Sequence, residues 1–179
     1  MSNLCDASRS ILIIVDLQER LMPAIDEGAE VVKNAVILAK AAKVLGVPVI
    51  GTAQNPAGLG PNLPEIHALC DWIISKTDFD ACAEPGFLAA LGTARDDLIV
   101  LGCEAHVCAL QTVLGLRARQ HSVRFVVDAI GSRHPLNKTM AMNRAKEAGA
   151  QLVTSEMVLF EWLRNSRHQN FRELTKLIK

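Results

Sequence analysis

The sequence predicts an α/β fold: an open parallel sheet with helices on both faces. Two observations carry that prediction. Apolar runs of strand length alternate with longer amphipathic segments along the chain. The first and fourth runs are continuously apolar rather than alternating, as strands covered on both faces are. Strand, helix, strand, repeated, implies parallel pairing through right-handed crossovers.

Each element follows from its residues. "ILIIVDLQ" (11–18) is the first buried strand. Residues 26–46 read as a helix, with Val31, Val32, Ala35, Leu38, Ala42 and Leu45 at helical spacing, Asp26 as N-cap and Gly46 as the stop. "PVIGTA" (48–53) is a second strand. "QNPAGLGPNLPEI" (54–66), dense in Gly, Pro and Asn, reads as a loop. "DWIISK" (71–76) is a short third strand, and "EPGFLAALGT" contains a brief helix. "DLIVLGC" (97–103) is a fourth, buried strand, with a helix expected near 105–120. "SVRFVVDA" (122–129) is the fifth strand, 136–149 a helix and "AQLVTS" (150–155) the sixth strand. The tail from Glu156 is largely helical, interrupted near "NSRHQN". No linker, internal repeat or low-complexity segment divides the chain.

Composition bounds the function. The chain has 179 residues, half of them hydrophobic and 21% charged, which is a globular balance. Nineteen basic and nineteen acidic residues give a net charge of zero, so no global field steers the protein toward nucleic acid or an acidic membrane. Neutrality with positive mean hydropathy favours self-association, and a homo-oligomer, dimer or larger, is expected. "MSNLCDASRS" carries no signal-peptide pattern, and no apolar run approaches the roughly 18–20 residues that span a bilayer. The expectation is a cytoplasmic protein with its five cysteines reduced.

In open parallel sheets ligands bind beyond the carboxyl ends of the strands. Strand one delivers Asp16 there, strand three delivers Lys76, and strand four opens into "GCEAHVCALQT" (102–112). An acid, a base and the thiol of Cys108 are therefore expected at one edge. Cys108 would sit in the first turn of a helix, whose partial positive charge favours the thiolate and whose unpaired N–H groups can hold an oxyanion. Asp16 could exchange the thiol proton with a leaving group, and Lys76 could hold Asp16 ionised or orient the pair. Singly, each residue has a plainer reading: Asp16 as a loop cap, Lys76 as a surface charge, Cys108 as core filling. Cys103, at the end of a buried strand, is packing. His106 lies two positions from Cys108, and side chains two apart on a helix diverge by about 200°, so His106 is set aside as a bystander. His67, His121, His134 and His168 are scattered in polar contexts. No clustered metal ligands, no GxGxxG and no phosphate-cradling loop are present, "GLG" at 58–60 being a turn. No metal and no cofactor are expected.

"IIVDLQERLMPAI", "SKTDFDAC", "LIVLGCEAHVCALQTVLGL" and "VVDAIGSR", in that order and spacing, resemble the isochorismatase-like (cysteine hydrolase) superfamily over nearly the whole chain. "TAQNPAGLG" and "HQNFRELTKLIK" resemble its metal-free branch, which includes the isochorismatase domain-containing proteins. The resemblance implies one hydrolase domain over 1–179, a three-layer α/β/α Rossmann-like sandwich around a six-stranded parallel sheet. It also implies an Asp–Lys–Cys triad: Asp16 as general base, Lys76 as supporting cation and Cys108 as nucleophile. A non-proline cis peptide would fall between Cys103 and Glu104, and the oxyanion-hole amides would be those of Glu104 and Cys108. Gln18, Leu21, Gln54 and Phe79 are the expected lining of a small-molecule pocket. The chain lacks the metal ligands of the nicotinamidase branch, and Cys108 is absent from true isochorismatases, so acyl chemistry on the C–N bond of a small amide is favoured. Two other readings stand beside it: a binding scaffold on the same fold, and a redox-sensing pair of Cys103 and Cys108.

Overall fold

In the computed structural model, which describes residues 4–179, six parallel strands form one sheet. The elements run β1 (Ser10–Val15), α1 (Gly28–Leu45), β2 (Val49–Gln54), α2 (Pro56–Leu59), α3 (Pro64–His67), β3 (Trp72–Lys76) and α4 (Pro85–Leu91). They continue through β4 (Asp97–Cys103), α5 (Leu110–Ala118), β5 (Ser122–Gly131), α6 (Pro135–Glu147), β6 (Gln151–Val153), α7 (Ser155–Leu163) and α8 (Phe171–Leu174). The strand order is β3-β2-β1-β4-β5-β6. From the centre the chain winds one way through β2 and β3, then the other way through β5 and β6. Right-handed crossovers in opposite directions put helices on both faces. α1 packs with α7, and α5 with α6.

Burial explains the strand sequences. Every residue of β1, β2 and β4 is buried, which is why those runs do not alternate. β3 is half exposed because it forms an edge. The core gathers Leu12, Ile13, Ile14, Leu38, Ile50, Leu98, Ile99, Leu101 and Phe125 between the layers.

The structure departs from the sequence reading in three places. Asp26 does not cap the first helix. The chain turns through a left-handed Glu27 (φ 52°), and the helix starts at Gly28, while the Asp26 amide donates to the Ser132 carbonyl. The 54–66 segment holds two one-turn helices, α2 and α3, each opened by a proline whose missing N–H costs nothing there. The helix after β4 begins as a wide turn over Ala105–Ala109, where the Ala109 amide reaches the Glu104 carbonyl five residues back.

One glycine fixes the central strand pair. Gly102 pairs with Val15 and has φ 116°, and a Cβ there would lie 2.0 Å from the Val15 carbonyl oxygen. β4 can end against β1 at this angle only with glycine at 102. That junction delivers the next residues to the edge where the strands point. Among the described residues, no helix is long and apolar enough to cross a membrane.

Candidate active site

The carboxyl ends of four adjacent strands meet at the switch point between β1 and β4, where winding reverses. β1 ends and the next residue, Asp16, turns into the left-handed region (φ 49°), a conformation aspartate tolerates better than most residues. β2 contributes Thr52 and Gln54, β3 ends on Lys76, and the wide turn after β4 carries Cys108.

Asp16 and Lys76 form an ion pair with both side chains wholly removed from solvent, Lys76 Nζ lying 2.8 Å from Asp16 Oδ2. The other carboxylate oxygen accepts from Thr52 Oγ1 at 2.6 Å. Lys76 Nζ also donates to Gln54 Oε1 at 2.6 Å and lies 3.4 Å from the carbonyls of Asp78 and Phe79. Such satisfaction is what a buried pair requires, because desolvating two ions costs several kcal/mol each. Gln54 is held in turn: its Nε2 donates to the Thr77 carbonyl at 2.6 Å, its amide donates to Gln18 Oε1 at 2.9 Å, and Gln18 Nε2 donates to the carbonyls of Gln54 and Gly60.

Cys108 completes the group. It is 6% exposed, and its thiol reaches Gln54 Oε1 at 3.9 Å. Burial, then the Asp16 charge, push the thiol up to about 12; Lys76 pulls the other way, and hydrogen bonding adds to each effect. The sequence reading expected the helix start to favour the thiolate. Burial outweighs that partial charge, and the resting group is a neutral thiol.

The peptide bond between Cys103 and Glu104 is cis. The Glu104 side chain, 7% exposed, accepts from the Arg133 backbone amide at 3.0 Å and from Arg133 Nε at 3.1 Å. Cys103 is fully buried at the end of β4, and its thiol is raised above the ordinary range by burial.

The structure thus brings Asp16, Lys76, Cys108 and Gln54 together, with Gln18 behind them. It separates the other two pocket candidates from that cluster's hydrogen bonds. Leu21 packs half-buried against the core, and Phe79 enters only through its carbonyl, with its side chain 50% exposed. Thr52 was missed, although it and Gln54 are the two polar side chains in the buried strand β2. Among the described residues, no three His, Cys, Asp or Glu side chains cluster as a metal ion would need.

With this geometry in hand, comparison with known proteins is decisive. A model described as the isochorismatase domain matches residues 10–157. The chain belongs to the isochorismatase-domain family. Isochorismatase domain-containing protein 2A of Mus musculus is 36% identical over 172 residues, covering 95% of this chain and 82% of its own. The structure of MAR1 ribonuclease from Caenorhabditis elegans superposes with a TM-score of 0.93 at 35% identity, over 98% of this chain and 92% of that one. The YcaC protein of Escherichia coli, described as an octameric hydrolase of unknown specificity, gives a TM-score of 0.88 at 25% identity, over 98% and 96% of the two chains. The family supports a hydrolase-like fold.

The electrostatic account makes a signed prediction. Asp16→Asn removes the anion that raises the thiol, so the pH midpoint for Cys108 alkylation by iodoacetamide moves down from about 12. Lys76→Met removes the cation that lowers it, so the midpoint moves up. Peptide-level mass spectrometry reads both, with thermal melts confirming that the variants fold. Midpoints that stay put in both variants contradict the account.

Proposed function

We propose that this protein is a cysteine hydrolase that cleaves the C–N bond of a small amide-like substrate through a covalent intermediate on Cys108. One observation carries the reading: a thiol set beside a fully buried, fully hydrogen-bonded Asp16–Lys76 pair. Core filling does not need two desolvated charges next to it.

The chemistry follows from the protonation state. With the thiol near 12, standing thiolate at pH 7 is on the order of one part in 10⁵. The proton therefore passes to Asp16 as sulfur attacks the carbonyl carbon and the S–C bond forms. Backbone N–H groups of Glu104 and Cys108 hold the oxyanion. Collapse breaks the C–N bond, and Asp16 returns the proton to the departing amine, leaving a thioester. Water then attacks the thioester carbon and gives a proton to Asp16; collapse breaks the C–S bond, Asp16 returns that proton to sulfur, and the carboxylic acid departs. Lys76 holds the Asp16 carboxylate in place through their ion pair, and Gln54 fixes Lys76. Gln18, Leu21, Gln54 and Phe79 remain the proposed surroundings of the substrate. No electron transfer and no cofactor enter the balance.

The ribonuclease description of the C. elegans protein suggests a second substrate class. A net charge of zero gives this chain none of the phosphate attraction that drives RNA binding. The redox reading is weakened by Cys103, a fully buried thiol of raised pKa, since sensing thiols are exposed and easily ionised. Self-association is also proposed. Leu136 and Met140, one turn apart on α6, are 70% and 50% exposed, and the E. coli relative is an octamer.

A panel of small amides, carbamates and short RNAs tests the activity. An amide or carbamate is the expected substrate, and Cys108→Ala is expected to lower its turnover by at least about 10³-fold with an unchanged melting curve. Full activity in Cys108→Ala, or turnover of RNA alone, overturns the proposal. Light scattering should give a mass at least twice that of one chain, and a monomer at working concentration contradicts self-association.

A further inference from the structure

The wide turn over Ala105–Ala109 is a weak place for a nucleophile. Its ladder is stretched: the Val107 and Ala109 amides both reach back to the Glu104 carbonyl, at 3.1 and 3.2 Å. Turns of this kind hold their shape poorly on their own hydrogen bonds. Catalysis by Cys108 needs the thiol and the nearby amides fixed relative to one another, so the stiffness has to come from outside the turn.

The junction between β5 and α6 supplies it. Both ring nitrogens of His106 are engaged there. Nδ1 lies 3.0 Å from Ser132 Oγ, and Nε2 lies 3.3 Å from Asn137 Nδ2. Ser132 is 1% exposed, so the first contact is made inside the protein. Asn137 Nδ2 can only donate, so Nε2 accepts, and the tautomer that fits both contacts carries its proton on Nδ1 and donates it to Ser132 Oγ. Two residues earlier, the Glu104 carboxylate takes the two Arg133 donors described above. Residues 104 and 106 of the turn are thereby tied to 132, 133 and 137. The histidine that sequence spacing set aside faces away from Cys108, yet it holds the turn that carries Cys108.

We infer that His106 is a positioning residue: it locks the Cys108 turn to the start of α6 through Ser132 and Asn137, with Glu104 and Arg133 as a second tie. The inference rests on Cys108 as the nucleophile. It concerns the backbone that presents the thiol, not contact with substrate. Loosening the lock misplaces the thiol against its oxyanion donors while leaving the thiol no less reachable. Acylation, which needs that alignment, is therefore affected separately from alkylation, which needs an accessible, ionisable sulfur but no oxyanion donors.

Two probes read the difference. Acylation of Cys108 by p-nitrophenyl acetate and alkylation by iodoacetamide are followed by peptide mass spectrometry in the full-length protein. The wild type is compared with His106→Ala, His106→Asn and Ser132→Ala. The inference expects acylation to fall by about 10- to 100-fold in His106→Ala and less in Ser132→Ala, with alkylation not slowed. In His106→Asn the amide reaches the Nδ1 position, restores the Ser132 bond and recovers part of the rate. Long-range ¹H–¹⁵N spectra should show the Nδ1–H tautomer of His106 in the wild type. Unchanged acylation in both His106 variants, equal slowing of the two reactions, or an Nε2–H tautomer overturns the inference alone. A wild-type Cys108 that p-nitrophenyl acetate never acylates removes the reading beneath it, and the inference with it.

Discussion

The site depends on one buried ion pair. Asp16 and Lys76 have no solvent-exposed side-chain surface, and each is satisfied by neighbours from other strands. A charge so placed is tolerated only with its partner present, and removing one partner of a buried pair costs about 3–5 kcal/mol. The pair therefore fixes the relative positions of β1, β2 and β3 at their carboxyl ends. It also adjusts the proton affinity of Cys108, which burial raises first, since Asp16 raises the thiol further and Lys76 lowers it. Structure and reactivity at this edge have the same cause.

That arrangement gives the thiol an unusual resting state. Many reactive cysteines are poised by a depressed pKa, which a helix start or neighbouring cation provides. Cys108 has a helical turn and a cation nearby, yet burial and the Asp16 charge outweigh them. Reactivity on demand then requires a base near the thiol, and in the proposed mechanism Asp16, ion-paired to Lys76, takes that part. The same burial keeps the sulfur from adventitious oxidation, which acts on exposed thiolates.

Much of this was legible in the sequence because it is written in local patterns. Continuous apolar runs marked the buried strands, and Asp16 and Lys76 stand where those runs stop. The cis bond came through family resemblance, not periodicity; the grouping of Asp16, Lys76 and Cys108 was expected from their places at the strand ends, and the resemblance supplied the proposed triad roles. What escaped reading was set by three-dimensional contacts. Thr52 looks like any polar residue until Asp16 lies beside it. Gln54, expected as pocket lining, also holds Lys76. His106 was set aside on regular helical spacing as a partner for Cys108, and its contacts with Ser132 and Asn137 show only in three dimensions. Asp26 lost its capping place to a left-handed Glu27, which no side-chain preference signals.

The central claim is that Asp16 carries the proton from the thiol to the leaving group. The most direct test compares acylation of Asp16→Asn by an activated ester and by the matching anilide. p-Nitrophenolate leaves without a proton, and an aniline does not. The account predicts that Asp16→Asn, which lacks the base for attack, slows acylation by p-nitrophenyl acetate, and slows acylation by p-nitroacetanilide by a larger factor because the proton for the aniline is lost as well. The same factor on the ester and the anilide, or no loss on either, would contradict it.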